Sequence, residues 1–157
     1  MQARVIVLGG TGFIGRNICT QLRSRDFDVL SLGSADCNLS TDGAIAKIAS
    51  YVKRGDRIVA AFAKAPAKSE QDLFSNIEMT RRFITAVASK SPSYVLNVSS
   101  DAIYCDSMKP LTESSICAPT SFHGAMHCIR EQIFDRCFKC DVGHLRPTLV
   151  FGADDPH

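Results

Sequence analysis

Two histidines, four residues apart in the stretch SFHGAMH at 121–127, are the side chains best suited to chemistry in this sequence. His123 and His127 fall on one face of the helix that the surrounding residues predict, because positions four apart on a helix lie one above the other. An imidazole has an unperturbed pKa of roughly 6.5, so it gives and takes protons near neutral pH with no cation beside it. The alternative is that both are helix-surface residues facing an open cleft. Their His-x-x-x-His spacing also suits a metal, and Cys137 and Cys140 form a Cys-x-x-Cys pair with His144 beyond. Zinc sites usually need two ligand pairs at matched spacing, so no metal is expected.

The second chemical feature is GGTGFIG at 9–15. Gly10, Gly12 and Gly15 match G-x-G-x-x-G, and Gly9, Gly12 and Gly15 match G-x-x-G-x-x-G. In either pattern one glycine makes the tight turn, one lets backbone approach a pyrophosphate, and one lets the helix pack on the strand. The helix that follows offers free N–H groups and a positive dipole end to phosphate. The other explanation is a tight structural turn with no ligand. The context required of the motif, a strand before and a helix after, is present. Where many such folds carry an acid for the adenosine ribose, this chain has Gly33 and Ser34, and no arginine stands there to mark a 2′-phosphate. Asp36 follows, either to contact the adenine amino group or as a solvated loop aspartate. NAD and NADP both stay open.

These residues need a frame. ARVIVLGG reads as a short, fully buried strand, and FDVLSL, DRIVAAFA, SYVLNVSS and DVGHLRP read as the further strands. Between them, FIGRNICTQLRSRD places Ile14, Ile18 and Leu22 on one helical face. STDGAIAKIASYVKRG reads as a helix capped by Ser40 or Thr41 and closed by Gly55. Ser69 with Asp72 forms a capping-box pattern that opens a helix to about residue 89, and another helix runs over 121–138. A loop carrying Pro110 and Pro119 spans 101–120. Alternating strands and helices imply right-handed crossovers and a parallel α/β sheet. The length of 157 residues suits one domain, and no internal repeat or second boundary is visible.

Bulk properties exclude several classes. The net charge is +2 and the basic residues form no stripe, which argues against nucleic acid. No apolar stretch is long enough to cross a membrane. Seven cysteines without framework spacing read as reduced thiols, and a strand beginning almost at Met1 leaves no room for a signal peptide, so a cytoplasmic location is expected.

Several stretches in order resemble one family, the extended short-chain dehydrogenase/reductases of the NAD-dependent epimerase/dehydratase group. GGTGFIG is similar to its phosphate turn, FSNIEMTRRFITA to its asparagine-bearing helix with Asn76 in place, and NVSSDAIY to its catalytic-serine strand with Ser100 four before Tyr104. LTESSICAPTSFHG resembles the loop into its catalytic helix, and LRPTLVFG its sixth strand and the turn beyond. The resemblance implies a Rossmann-like, doubly wound, three-layer sheet of order 3-2-1-4-5-6, with the third strand rudimentary at 36–39. It implies a serine, tyrosine and lysine that move a proton while a nicotinamide moves a hydride. Matched position by position, Ser100 is present, His123 replaces the tyrosine and His127 the lysine. Histidine in the tyrosine's place removes the need for the lysine, so the two changes are mutually consistent. Against them, an imidazole reaches roughly 2 Å less far than a phenol, and misplacement is costly in catalysis. Ser100 otherwise simply caps a strand end.

The resemblance also implies a C-terminal substrate lobe, expected to be absent here because the chain stops at GADDPH. The expectation is therefore a single NAD(P)-binding domain over 1–157, in whole or truncated form. Its function would be oxidoreductase, epimerase or dehydratase chemistry on a sugar nucleotide. Ser100, His123 and His127 would be catalytic. Gly9, Thr11, Gly12, Phe13, Ile14, Gly15, Asp36, Ala63, Asn76 and His127 would hold NAD or NADP. Asn76 either ties the cofactor-side loop or satisfies a buried carbonyl. The alternative function is a non-catalytic dinucleotide-binding module, acting as sensor or assembly partner. The expected partners are the dinucleotide, a sugar nucleotide and a second copy of the chain, but neither nucleic acid nor membrane.

Overall fold

Val5, Ile6, Val7 and Leu8 are all buried, as a strand covered on both faces requires. They form β1 (Val5–Leu8) in a computed structural model that describes residues 4–152. Residues 1–3, the start of the first predicted strand, and 153–157 lie outside the described residues. The other strands are β2 (Val29–Leu32), β3 (Arg57–Ala60), β4 (Tyr94–Val98) and β5 (Asp141–Leu145). All pair in parallel, in the order β2-β1-β3-β4-β5. The register runs Ile6 with Leu30 on one side and Ile58 on the other, then Ile58 with Val95 and Val95 with Val142.

The helices are α1 (Phe13–Arg23), α2 (Ala44–Tyr51), α3 (Glu70–Val87) and α4 (Phe122–Cys137). Successive strand residues point to opposite faces and so split the core in two. Ile6, Leu8, Ile58, Ala60 and Val95 pack with Ile48 of α2, Phe83 of α3 and Phe134 of α4. Val5, Val7 and Val59 pack with Ile14, Ile18, Cys19 and Leu22 of α1. The layers are unequal, three helices on one face against one on the other. Phe83 and Phe134 stack at 5.5 Å in the larger core, a separation that favours ring pairs.

Two local expectations need correction. The rudimentary third strand at 36–39 is a turn. The Asp36 carboxylate accepts the Gly33 N–H at 2.8 Å, and the Asp36 and Cys37 N–H groups donate to the Gly33 carbonyl at 3.1 and 3.0 Å. These bonds consume groups that a strand would offer to a neighbour. The remaining five strands keep the expected order. Neither Ser40 nor Thr41 caps α2, which begins after Gly43 with no side-chain cap. Thr41 donates its hydroxyl to the Asn38 carbonyl at 2.9 Å instead. Nor does Gly55 close α2, which already ends at Tyr51. Gly55 makes the turn into β3 at φ +84. The capping box of α3 forms as expected, Ser69 and Asp72 bonding each other's backbone N–H.

Candidate functional site

The chain direction reverses between β1, which leads out to β2, and β3, which leads the other way to β4. In open α/β sheets such a switch point, at the carboxyl ends of the strands, is where a crevice forms. Two cavities open there, of about 440 and 370 Å³. They share Gly12, Ala61, Phe62 and Ala63 as a common wall.

The β1–α1 turn is shaped by close backbone approach. Gly9 has φ +81, and a Cβ there would strike the Ala61 carbonyl. A Cβ on Gly15 would strike the Gly9 carbonyl, so only glycine lets α1 sit down on the turn. Gly12 is the N-cap of α1 and supplies no side-chain cap. Among the described residues no acceptor meets the N–H groups of Phe13, Ile14 or Gly15, whereas Arg16 donates to the Gly12 carbonyl at 2.8 Å. Those three donors, at the positive end of an 11-residue helix, open on the larger cavity, which Phe13, Ile14 and Gly15 line.

Thr11 lines the smaller cavity. A Cβ on Gly33 would meet the exposed Thr11 side chain, which would have to shift to admit it. Asp36 does not line either cavity; its carboxylate closes the turn on Gly33. Asn76 is 1% exposed and also acts at a distance. Its Oδ1 accepts the Lys64 N–H at 2.8 Å, and its Nδ2 donates to the Lys64 and Asp72 carbonyls at 3.0 and 2.9 Å. It ties down the loop after β3 that carries Ala63 along the cleft.

At the far end of the larger cavity stand Ser100, His123 and His127. The Ser121 hydroxyl caps α4 by accepting the Gly124 N–H at 3.1 Å. Gly124 leaves no room for a Cβ against the Ala102 carbonyl, which presses the first turn of α4 onto the segment after β4. Ser100 caps the backbone, its Oγ accepting the Ala102 N–H at 3.2 Å, and it also borders the cavity. The two imidazoles meet edge to face at 4.7 Å. His123 Nδ1 accepts the Ala67 N–H at 3.4 Å, so in the neutral ring the proton sits on Nε2. Burial lowers the His123 pKa, with Arg130 adding to the effect and Asp101 opposing it. Burial pushes His127 down to about 3, helped by Arg130 and His123. Both rings are thus neutral at physiological pH, and His127 Nδ1 has no partner among the described residues.

Sequence reasoning missed the charged groups behind this pair. Arg130, fully buried on α4, donates to Asn97 Oδ1 at 3.2 Å and lies 4.9 Å over the Phe62 ring. Glu131, one residue on, is held by Arg146 through two bonds of 2.6 and 3.0 Å. Burial alone would raise its pKa, but the Arg146 guanidinium holds the carboxyl below its usual value. Arg146 also donates to Tyr104 Oη at 2.6 Å and so locks β5 to the segment after Ser100. The signal was spacing: 123, 127, 130, 131 and 134 form one helical stripe, polar at four of its five positions. Among the described residues, no group of three or more His, Cys, Asp or Glu is placed to hold a metal ion, and no helix is long and apolar enough to cross a membrane.

A parallel doubly wound sheet with a glycine turn and a cleft at its switch point defines a dinucleotide-binding class of fold. The particular family follows from the sequence: the model of the NAD dependent epimerase/dehydratase family matches residues 5–157, and the chain belongs to that family. No curated protein sequence matches the chain. Among solved structures, it is similar to the UDP-N-acetylglucosamine 4-epimerase from Bacillus cereus, with a TM-score of 0.84 and 19% identity over 99% of this chain and 59% of that one. The Thermus thermophilus UDP-glucose 4-epimerase, a complex with NAD, gives 0.83 and 19% over 98% of this chain and 58% of that one. A dTDP-4-dehydrorhamnose reductase from Clostridium acetobutylicum gives 0.75 and 16% over 97% and 55%. The chain spans between about half and three-fifths of the length of these structures.

Proposed function

We propose that residues 1–157 are the dinucleotide-binding domain of an enzyme that moves hydride at a carbinol carbon of a sugar nucleotide, and that the family's substrate lobe is not among them. One observation carries this reading. Among the described residues the N–H groups of Phe13, Ile14 and Gly15 have no acceptor; they sit at the positive end of α1 and open on the cleft at the switch point. NAD or NADP bound there supplies the hydride chemistry.

The chain's own residues do the rest. Gly9, Thr11 and Gly12 let backbone approach the pyrophosphate, with Phe13, Ile14 and Gly15 donating to it. Ala63 borders both cavities, on the path between the two halves of the dinucleotide. Asn76 and Asp36 shape that path by fixing Lys64 and Gly33. His123 is the acid/base group, with its Nε2 available to a substrate oxygen that Ser100 orients. His127 offers the nicotinamide ribose a single neutral donor where the family's lysine offers a charged one.

A second reading is a dinucleotide-binding module without turnover. The burial of His127, 4% exposed, favours it, since little of the ring is left for a ribose. Calorimetric titration with NADH and with NADPH tests what the readings share: failure of both to bind refutes each. Hydride exchange on UDP-glucose or UDP-N-acetylglucosamine then separates them.

A further inference from the structure

Among the described residues, Arg130 is a cation buried without an acid. It is 0% exposed, its Nη2 donates to the neutral Asn97 amide at 3.2 Å, its Nη1 meets the Met126 sulfur at 4.0 Å, and its Nε finds no acceptor among them. The nearby carboxylates are committed elsewhere. Glu131 is clamped by Arg146, and Asp135 bonds His144 at 2.9 Å. His144 in turn meets Asn97 Nδ2 at 3.3 Å, which leaves the Asn97 oxygen turned toward the guanidinium. The charge is steadied by an amide and by the face of Phe62 at 4.9 Å, and is not cancelled. A buried unpaired charge is costly and calls for a reason. Its position suggests one, since Arg130 lies three residues beyond His127 and seven beyond His123 on the same face of α4.

We propose that Arg130 is the fixed positive charge of this site: one helical turn deeper than the family's lysine position, it adds to burial in holding the histidine pair in its neutral form. This rests on the reading of the cavity as the reaction site. Arg130 does not line that cavity, so it is a positioning residue and not a catalytic one. The groups facing the pair are Arg130 and His127 from α4 and Asp101 from the turn after β4, and Asp101 alone of these favours a proton on His123. The consequence is chemical. Neutral His123, with Nδ1 occupied by the Ala67 N–H, presents a proton on Nε2. A neutral imidazole of that kind polarises a carbonyl oxygen and donates to it, which suits reduction of a ketone better than deprotonation of an alcohol.

The test is an NMR pH titration of the imidazole ¹⁵N and ring ¹H signals in the whole chain, without ligand, for wild type, Arg130→Lys and Arg130→Met. In wild type His127 stays neutral down to about pH 5 and His123 shows the Nε2–H tautomer. Arg130→Lys keeps these curves. Arg130→Met raises the His127 midpoint by at least about one unit and moves His123 in the same direction, the loss of a like charge favouring the proton. If Arg130→Met does not fold, Arg130→Gln keeps a donor for Asn97 and is read the same way. If neither folds, the wild-type curve decides. A His127 midpoint near the ordinary value of about 6.5, or a folded neutral variant with unchanged curves, overturns the proposal. Because no dinucleotide is needed, failure here is separate from failure of NADH or NADPH to bind.

Discussion

The two ends of the cleft are built from different materials. At the β1–α1 turn the groups that face the cleft are backbone N–H donors, set by glycines within seven consecutive residues. At the α4 end they are side chains, Ser100 from the turn after β4 and His123 and His127 from α4, backed by a network that includes Asn97, Arg130, Glu131, Tyr104 and Arg146. A backbone site is hard to alter, because any Cβ in the wrong place breaks the turn itself. A side-chain site is replaceable group by group. This difference explains how the chain keeps the family's phosphate turn intact while histidines stand where the resemblance implies tyrosine and lysine.

Breaking the backbone end has the largest effect. Gly9→Val places a branched side chain at φ +81 against the Ala61 carbonyl. Left-handed strain and overpacking together cost about 4 kcal/mol, read as a lower urea midpoint. Dinucleotide binding is lost with the turn. A variant of near wild-type stability that still binds NADH or NADPH would show that the turn is less rigid than its close contacts indicate.

At the side-chain end, the Arg146–Glu131 clamp comes next. Arg146→Met leaves Glu131 buried without its cation, at a cost of about 2–3 kcal/mol at neutral pH after allowance for Arg146's partial exposure. The sign of the pH dependence follows from the lowered carboxyl value in the folded chain. The clamp contributes fully above the unfolded carboxyl value and is lost as pH falls through the folded one. The gap in urea midpoint between wild type and variant is therefore wide at pH 7 and narrows on acidification. A gap that is independent of pH would assign the loss to packing, not to charge.

The same contrast governs what the sequence makes legible. Local, short-range devices could be read: the glycine turn, the Ser69–Asp72 capping box, the buried strands. They depend on neighbours a few residues away. The charged layer behind the histidines could not, because in CIREQIF an arginine and a glutamate look like the wet side of a helix. Only tertiary contact reveals that Arg130 points at Asn97, 33 residues earlier, and that Glu131 points at Arg146. The turn at 33–37 hid for a third reason. Asp36 reads as a ligand-binding acid, yet its carboxylate closes a turn on Gly33, a competition between side chain and strand that is open to any Asp beside a glycine.

Asn76 connects the two ends, and its removal has an intermediate effect. Asn76→Ala leaves the Lys64 N–H and carbonyl without their partners, at a cost of about 1–2 kcal/mol in urea unfolding. The loop after β3 runs beside both cavities, so dinucleotide affinity falls although Asn76 borders neither. Stability lost with affinity intact would make Asn76 a fold residue only.

The smallest effect is the most informative about where the cleft divides. His123 is half-buried and its one hydrogen bond among the described residues, from Ala67, is long at 3.4 Å. His123→Gln retains an acceptor and should change stability by less than about 0.5 kcal/mol. If His123 faces the substrate and makes no contact with the cofactor, calorimetric affinity for the preferred dinucleotide stays within about twofold of wild type, a difference of about 0.4 kcal/mol. Hydride exchange, wherever the wild-type chain or a longer form of it supports any, falls by about 10²-fold or more, as expected for loss of a general acid. A tenfold fall in cofactor affinity would instead place His123 among the dinucleotide contacts. His123 would then join His127 in cofactor binding, and its assignment as the group that reacts with substrate would not hold.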